Sequence, residues 1–452
     1  MVTTAQDDEP LLVTSHLEIN GSVAHDTIVQ RESFLHVRGN HAGNLTIEKG
    51  AKVVIEGHVG GKIINRGGQL IINNNALAGF VKAEGPPEEE ANGVLRINLS
   101  SIALNWSALA RRTLAECAAV VRADGYGCGI ELVTSTLVKS GCKTFFVSDL
   151  SEAKKVRAAA PEAAIYVLNG LYTGAGPGFA NVNAQPVISS LAEMAEWDFF
   201  VSSSGWKGSF ALNVSTSLKQ LGISMEEATG LGSRFNSGNS SISLLMSHLD
   251  RAELPTQRLN DRQVALFQDL HRMYRGIPAS LANSSGIFAG PETHFNLVRA
   301  GSALFGINPT PGSANPMLQV VELQARIVQV GSLMSGEPNP FNSGQSVKRQ
   351  TRLVVVALGR ADGYPSSDRA DRPLQAIVGR KLCPILGRVS IDRLAIDITD
   401  IPDSKAARRG EMVTLIGGGQ ITVDDVAAAA KLSGYDVIAN LRRRLHQVYY
   451  AS

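Results

Sequence analysis

With 452 residues, 44% of them hydrophobic and 19% charged, the chain has the balance of a soluble protein of two or three domains. A net charge of +2 gives no case for nucleic acid or anionic membrane as main partner, and 6% aromatics leave few platforms for stacking bases. No apolar run approaches the roughly 18 residues of a transmembrane segment.

The start, MVTTAQDDEP, is acidic and polar, unlike the basic and then apolar opening of a signal peptide. Cys117, Cys128, Cys142 and Cys383 form no CxxC pair and no zinc spacing, so reduced thiols in the cytoplasm are expected.

Residues 17–81, within a first domain of 1–83, repeat with a step of 18 residues. Leu17, Leu35, Val53 and Ile71 share one phase. Ile19, Val37 and Ile55 share the next, which Asn73 breaks. Gly21, Gly39 and Gly57 mark one turn, and Gly43, Gly61 and Gly79 a second. Leu45, Ile63 and Val81, with Val59 and Leu77, fill the other inward slots. Apolar alternation broken by glycine at a fixed period predicts a short β-solenoid, whose rungs must cover one another. Residues 84–93, EGPPEEEANG, read as a linker, stiffened by two prolines and kept in water by acidic side chains.

Over 94–320 strand-like runs such as TFFVSDL, AIYVLNG and ISLLMSHLD alternate with helical stretches such as SEAKKVRAAAP and NDRQVALFQDLHRMY. Such βα alternation predicts an α/β fold with a parallel sheet, most simply a (β/α)8 TIM barrel. Strands dominate again over 321–452, in QVVELQARIVQVG, TRLVVVALG, PILGRVSIDRLAIDI and EMVTLIG, which predicts a C-terminal β-domain.

Two resemblances attach to these stretches. The register LHVRGNHAGNLTIEKGAKVVIEGHVGGKIINRGGQLIINN resembles the bactofilin family of polymer-forming β-helix proteins, over about residues 12–83. It implies self-polymerisation through the solenoid; a solitary solenoid cap without a polymer role is the alternative. AAVVRADGYGCG, SLANSSGIF, FNLVRAGSALFG, ALGRADGYPSS, LGRVSIDRLAID and SGYDVIANLRRRLHQVYY follow one another as six motifs of the alanine racemase family, over about residues 94–452. Any one of them would be weak alone; six in order are specific. The resemblance implies a head-to-tail homodimer through these domains, with pyridoxal phosphate at the barrel mouth and a small amino acid as ligand.

The same resemblance exposes what is missing. In the family a lysine holds the cofactor and serves as one base, and a tyrosine from the partner subunit serves as the other. Here the lysine position is Arg122 and the tyrosine position is Arg360. A guanidinium is always protonated, so it offers no lone pair for an imine and accepts no Cα proton. Asn213, Ser215, Gln220 and Cys128 also depart from the family pattern, and Ile391 replaces a methionine before Asp392. FNSGQSVKRQTRL lacks the family's usual substrate-entry stretch.

Other positions match. The resemblance assigns Tyr126, Ser284, Gly301, Ser302 (where isoleucine is usual) and Tyr435 to phosphate binding, Arg299 to the pyridine nitrogen and His248 to the ring's surroundings. Asp362 and Asp392 fall on their motif positions. Each has a plainer reading. Tyr126 can pack at a strand end, Arg299 can anchor a carboxylate, His248 can be a satisfied core histidine, and RRRLH at 442–446 can be a solvated run. The sequence therefore predicts a pseudoenzyme, holding any pyridoxal phosphate non-covalently and serving as scaffold or binder near cell-wall synthesis. The rival is a working alanine racemase with an altered mechanism, for which Lys207 or Lys219 would have to reach the cofactor.

Overall fold

Glycine-punctuated alternation produces short parallel strands in the N-terminal stretch. A computed structural model describes residues 10–451 other than 56–57, 60, 62, 73–79, 218–220, 236–240, 254–256, 342–345, 367–372, 403–406 and 442–443. Gly57, Asn73, Leu77, Gly79, Lys219 and Gln220 thus lie outside the described residues. The chain divides into two units: residues 1–100 with 446–452, and residues 101–445.

In the first unit three parallel sheets form side by side in sequence. One joins Leu11–Val13, Thr27–Val29, Leu45–Ile47 and Ile63–Asn65; another joins His16–Ile19, Phe34–Val37, Lys52–Ile55 and Gln69–Ile72. The third joins Ser22–Val23, Asn40–His41 and His58–Val59. Leu17 pairs with Leu35 and Leu35 with Val53, and Val29, Leu45, Ile47 and Ile55 join them in one core. The last step is shorter than the repeat implies. Leu70, and not Ile71, lies beside Val53, a step of 17 residues. The missing residue is at the turn, where the Asn65 side chain accepts from Gly67 N at 3.0 Å and Gly68 N at 2.8 Å.

His41 stands in a column with Val23 and Val59 and is wholly buried. Its Nε2 lies 2.7 Å from Thr27 Oγ1 and its Nδ1 lies 3.0 Å from the Gly43 carbonyl. The same unit holds three further strands. His446–Tyr450 runs antiparallel to Phe80–Glu84 and parallel to Gly93–Asn98. Between the last two, Glu90 N and Ala91 N both donate to Pro87 O at 3.0 Å, so residues 87–91 of EGPPEEEANG form a hydrogen-bonded turn.

The second unit is built on eight parallel strands: β1 (Glu116–Val120), β2 (Thr144–Val147), β3 (Ala164–Val167), β4 (Gln185–Ile188), β5 (Phe210–Asn213), β6 (Ile242–Met246), β7 (Ala279–Ser280) and β8 (Leu297–Ala300). Their order is β7-β6-β5-β4-β3-β2-β1-β8. Asn296 N donates to Ala279 O at 3.0 Å and Arg299 N to Ala282 O at 2.9 Å, which brings the ends together into a nearly closed TIM barrel. Ala118, Val120, Phe146, Tyr166, Val187, Ala211, Leu244, Met246 and Leu297 point inward and fill it. Because all strands are parallel, the loops after them gather at one end, where barrel sites lie.

A C-terminal β-domain follows. Val321–Leu333 pairs antiparallel with Thr351–Val356 and Met412–Ile416, and Thr351–Val356 with Leu394–Asp397. Two short helices, Val423–Ala430 and Gly434–Asn440, interrupt the strands; Thr422 and Ser433 start them with reciprocal capping by Asp425 and Asp436. Among the described residues no helix is long and apolar enough to cross a membrane. The four cysteines are buried and unpaired with one another.

Candidate active site

β1 ends at Val120, and Arg122 is the second residue beyond it, at the C-terminal end of the barrel. The backbone then turns left-handed: φ is +52° at Ala123, +54° at Asp124, +65° at Gly125 and +53° at Tyr126. Left-handed backbone costs a non-glycine residue about 1–2 kcal/mol, so a run of this kind persists only where its surroundings over-determine it. Here Gly125 N donates to Val121 O at 2.8 Å, Gly127 N to Ala123 O at 2.9 Å and Gly129 N to Asp124 O at 2.9 Å. Asp124 N donates to Glu152 Oε1 at 2.8 Å, and Ile130 N donates to Asp124 Oδ1 at 3.2 Å. Helix Gly434–Asn440 packs close beneath; a Cβ on Gly127 would stand 2.8 Å from the Ile438 carbonyl oxygen.

The turn delivers Tyr126 inward. Its ring stacks on Phe305 with centroids 4.7 Å apart, and its hydroxyl leaves room only for glycine at 301, where a Cβ would lie 2.9 Å away. Burial pushes the Tyr126 phenol above its usual pKa, against the pull of the Arg122 guanidinium, whose carbon lies 6.0 Å from the ring centroid. Ser284, also buried, accepts from Gly301 N at 2.9 Å and Ala303 N at 3.2 Å. Its own hydroxyl proton is therefore left to donate. Ser302 opens the short helix Ser302–Phe305 beside it. Tyr435, near the start of Gly434–Asn440, is exposed and close enough to Tyr126 to raise its pKa further.

Arg299 follows Leu297 by two residues and so also points into the barrel, with its guanidinium carbon 5.9 Å from the Phe146 ring centroid. It donates to Ser280 Oγ at 2.6 Å, Ser247 O at 2.6 Å and Leu281 O at 3.4 Å. Among the described residues no carboxylate pairs with it. Burial brings its pKa down to about 10. A buried cation without a counter-charge is costly, and its three hydrogen bonds and the Phe146 ring offset part of that cost.

His248 follows β6. Crowding of its ring, then the charges of Arg299 and Arg122, hold its pKa down to about 4. The residue keeps an exposed edge, and its ring is neutral near pH 7. Asn283 Nδ2 is 3.5 Å from His248 Nε2. Gln263 steadies this strand end: its Nε2 donates to Thr216 Oγ1 at 2.9 Å and to His248 O at 3.1 Å.

Arg360 and Asp392 lie together on a second surface, both exposed. Arg360 N donates to Ser390 O at 2.9 Å and Ala361 N to Ile391 O at 2.8 Å; Gly359 leaves no room for a Cβ beside Asp392 N. Asp362 is buried and works for the turn, accepting from Gly359 N at 2.8 Å with Arg444 Nε 3.4 Å away. Asn213 Nδ2 donates to Ser189 Oγ at 3.1 Å and Leu221 O at 3.0 Å. Ser215 follows β5 in the same loop. Burial pushes the Cys128 thiol up to about 12, which makes it a packing residue. Lys207 is exposed and precedes the first residue of β5, at the opposite end of the barrel from Arg122, so it is not a substitute for the missing lysine.

Comparison with known proteins settles the ancestry. Residues 97–309 match the alanine racemase N-terminal domain and residues 320–449 the alanine racemase C-terminal domain. The chain belongs to the alanine racemase family. It is 43% identical to an alanine racemase of Methylobacterium sp. (strain 4-46) over 78% of this chain and 97% of that one. It is 38% identical to a catabolic alanine racemase of Mesorhizobium japonicum over 80% and 94%. The crystal structure of alanine racemase from Bartonella henselae, with covalently bound pyridoxal phosphate, superposes with a TM-score of 0.74 at 28% identity, covering 79% of this chain and 99% of that one.

The alanine racemase family depends on pyridoxal phosphate. Part of the site fits that group. Ser284 with its free proton, the Tyr126 hydroxyl and the buried Arg299 make a cradle for an anion and an electron-rich ring. The covalent attachment does not fit, because Arg122 has no amine to form it. Glu152, Gln263, Ser280 and Asn283 escaped sequence reasoning. For Glu152 a signal existed: SDLSE repeats as SSLAE forty-one residues on, each a capping residue followed by glutamate.

Proposed function

We propose that the chain is an alanine racemase-family protein that holds pyridoxal phosphate non-covalently, together with a small amino acid, and does not racemise by the lysine–tyrosine route. The observation that carries this reading is the pairing of a phosphate cradle at Tyr126, Ser284 and Gly301 with Arg122 at the anchoring position. Bound, the cofactor would supply an electron sink. Tyr126 and Ser284 would donate to its phosphate, Ser302 would border it, and Arg299 would face its ring nitrogen. Arg122 would pair with a carboxylate or phosphate through its forked donors. His248, neutral near pH 7, would orient and not carry a proton.

A second reading is alanine racemisation by an altered mechanism. It is favoured by 43% identity over 97% of a Methylobacterium alanine racemase. On that reading Arg360 and Asp392, from the partner of a homodimer, would complete the site in trans. Removing two acid–base groups costs about 10²–10⁴-fold each, which weighs against it.

The test uses full-length protein mixed with pyridoxal phosphate. The first reading expects binding that dialysis reverses, no gain in chain mass after borohydride, and no D-alanine from L-alanine. D-alanine formation that stops when the cofactor is removed establishes the second; a mass gain confined to one lysine at the barrel mouth overturns non-covalent holding.

The parallel sheets of residues 11–72 we read as coils of a bactofilin-like solenoid, occupying 1–83, that assembles copies of the chain. The barrel occupies 94–320 and the β-domain 321–452. Filaments in electron micrographs of the full chain are expected; their absence at high concentration overturns the assembly role.

A further inference from the structure

The left-handed turn that presents Tyr126 is strained, with three non-glycine residues out of four in a row, Ala123, Asp124 and Tyr126, at positive φ. Something must hold it. Glu152 is the third residue of helix Leu150–Ala159, and its two oxygens serve different masters. Oε2 accepts from Ser148 N, in the loop after β2, at 2.8 Å. Oε1 crosses to the turn after β1 and accepts from Asp124 N at 2.8 Å. Lys155, one turn further along the same helix, lies 3.6 Å from Asp124 Oδ1. One carboxylate thus fastens two neighbouring loops by their backbone.

We propose that Glu152 is a positioning residue for the phosphate cradle: its carboxylate fixes the left-handed turn and thereby aims Tyr126. This rests on the phosphate-binding reading given above. A glutamine cannot do the same work. It offers one acceptor oxygen, and its amide turns a donor toward whichever N–H it leaves. A turn that loses this bond is free to relax toward ordinary backbone, and the Tyr126 hydroxyl moves with it.

The fold contains its own control. Glu193 holds the equivalent place in helix Leu191–Ser204, accepting from Ser189 N at 2.9 Å and Leu171 N at 3.1 Å. It clamps a loop that carries none of the cradle residues. Glu152→Gln and Glu193→Gln should therefore cost comparable stability and differ in what they do at the mouth.

Two measurements on the full-length chain test this. Hydrogen exchange followed by mass spectrometry should show residues 122–129 losing protection in Glu152→Gln and keeping it in Glu193→Gln. Affinity for inorganic phosphate and for pyridoxal phosphate should fall about tenfold in Glu152→Gln, the loss of a hydrogen bond to a charged group, and stay within about twofold in Glu193→Gln. Unchanged exchange at 122–129 in Glu152→Gln, or equal loosening in both variants, overturns the proposal. An unaltered chain that binds neither probe while the exchange difference holds overturns the phosphate-binding reading and leaves the clamp standing.

Discussion

The Tyr126 hydroxyl and Gly301 meet so closely that a Cβ at 301 would lie 2.9 Å from the oxygen. That contact ties the turn after β1 to the loop after β8, its hydrogen-bonded neighbour in the barrel. It also keeps the Gly301 N–H beside the Ser284 hydroxyl, 2.9 Å away. The phosphate cradle is therefore a joint between adjacent strands, and its parts should fail together.

Gly301→Ala should push the Tyr126 ring off Phe305. Overpacking of this kind costs about 1–3 kcal/mol. The expected result is a lower melting temperature together with weaker binding of pyridoxal phosphate, read by titration. Unchanged affinity would show that Tyr126 takes no part in the cradle.

Arg299→Met should separate stability from binding. The side chain is of similar length, and it removes a buried charge that has no carboxylate partner among the described residues. Replacing buried charge with packed apolar atoms is often neutral or stabilising. The melting temperature should hold or rise while affinity for pyridoxal phosphate falls. A large drop in melting temperature would mean that the bonds to Ser280 and Ser247 outweigh the desolvation of the guanidinium.

Arg122→Lys should restore an amine at the anchoring position. With pyridoxal phosphate and borohydride this variant should gain mass by covalent attachment, where the unaltered chain does not. Adding Arg360→Tyr should bring D-alanine formation, since both bases would then be present. A double variant that captures the cofactor yet stays inactive would trace the loss to Asn213 and its loop.

In the N-terminal unit, His41 makes stability depend on pH. Burial lowers its pKa in the fold below the ordinary 6.5, so the folded ring is neutral while the unfolded chain takes up a proton as pH falls. Its contribution is whole above pH 6.5 and is lost as pH drops below that value toward the folded pKa. Denaturation midpoints should therefore fall between pH 7.5 and pH 5. His41→Val, apolar like its column neighbours Val23 and Val59, should flatten that profile. An unflattened profile would assign the acid sensitivity elsewhere.

Leu35→Ala should cost about 2–5 kcal/mol, since Leu35 is wholly buried between Leu17 and Val53. Urea denaturation followed by circular dichroism would read it. A loss under about 1 kcal/mol would show that the sheets collapse readily around a void.

Much of this was legible in advance because period and chemistry are local signals. The βα alternation predicted the barrel, and six motifs in order marked which end would carry the site. Tyr126, Ser284 and Gly301 lie together at that end, with Arg122 beside the Tyr126 ring. What escaped was whatever depends on three-dimensional crossing. Glu152 reaches from one loop to another, a contact between residues 28 apart that no periodicity reveals. The repeat was clear, but its final step of 17 was not, because Leu70 and Ile71 are adjacent and both apolar. EGPPEEEANG looked like a tether by composition; its partner strand, His446–Tyr450, lies at the far end of the sequence.

That last pairing has a consequence for how the molecule is made. His446 reaches back to Pro86 across 360 residues, and the strand it begins sits between Phe80–Glu84 and Gly93–Asn98. A ribosome finishes the first two strands long before it makes the third. Until then two edges wait unpaired, exposed to any other strand that passes. Maturation of the N-terminal unit is thus timed by synthesis of His446–Tyr450, and a chain broken off before that strand would leave Phe80–Glu84 and Gly93–Asn98 without the partner they share.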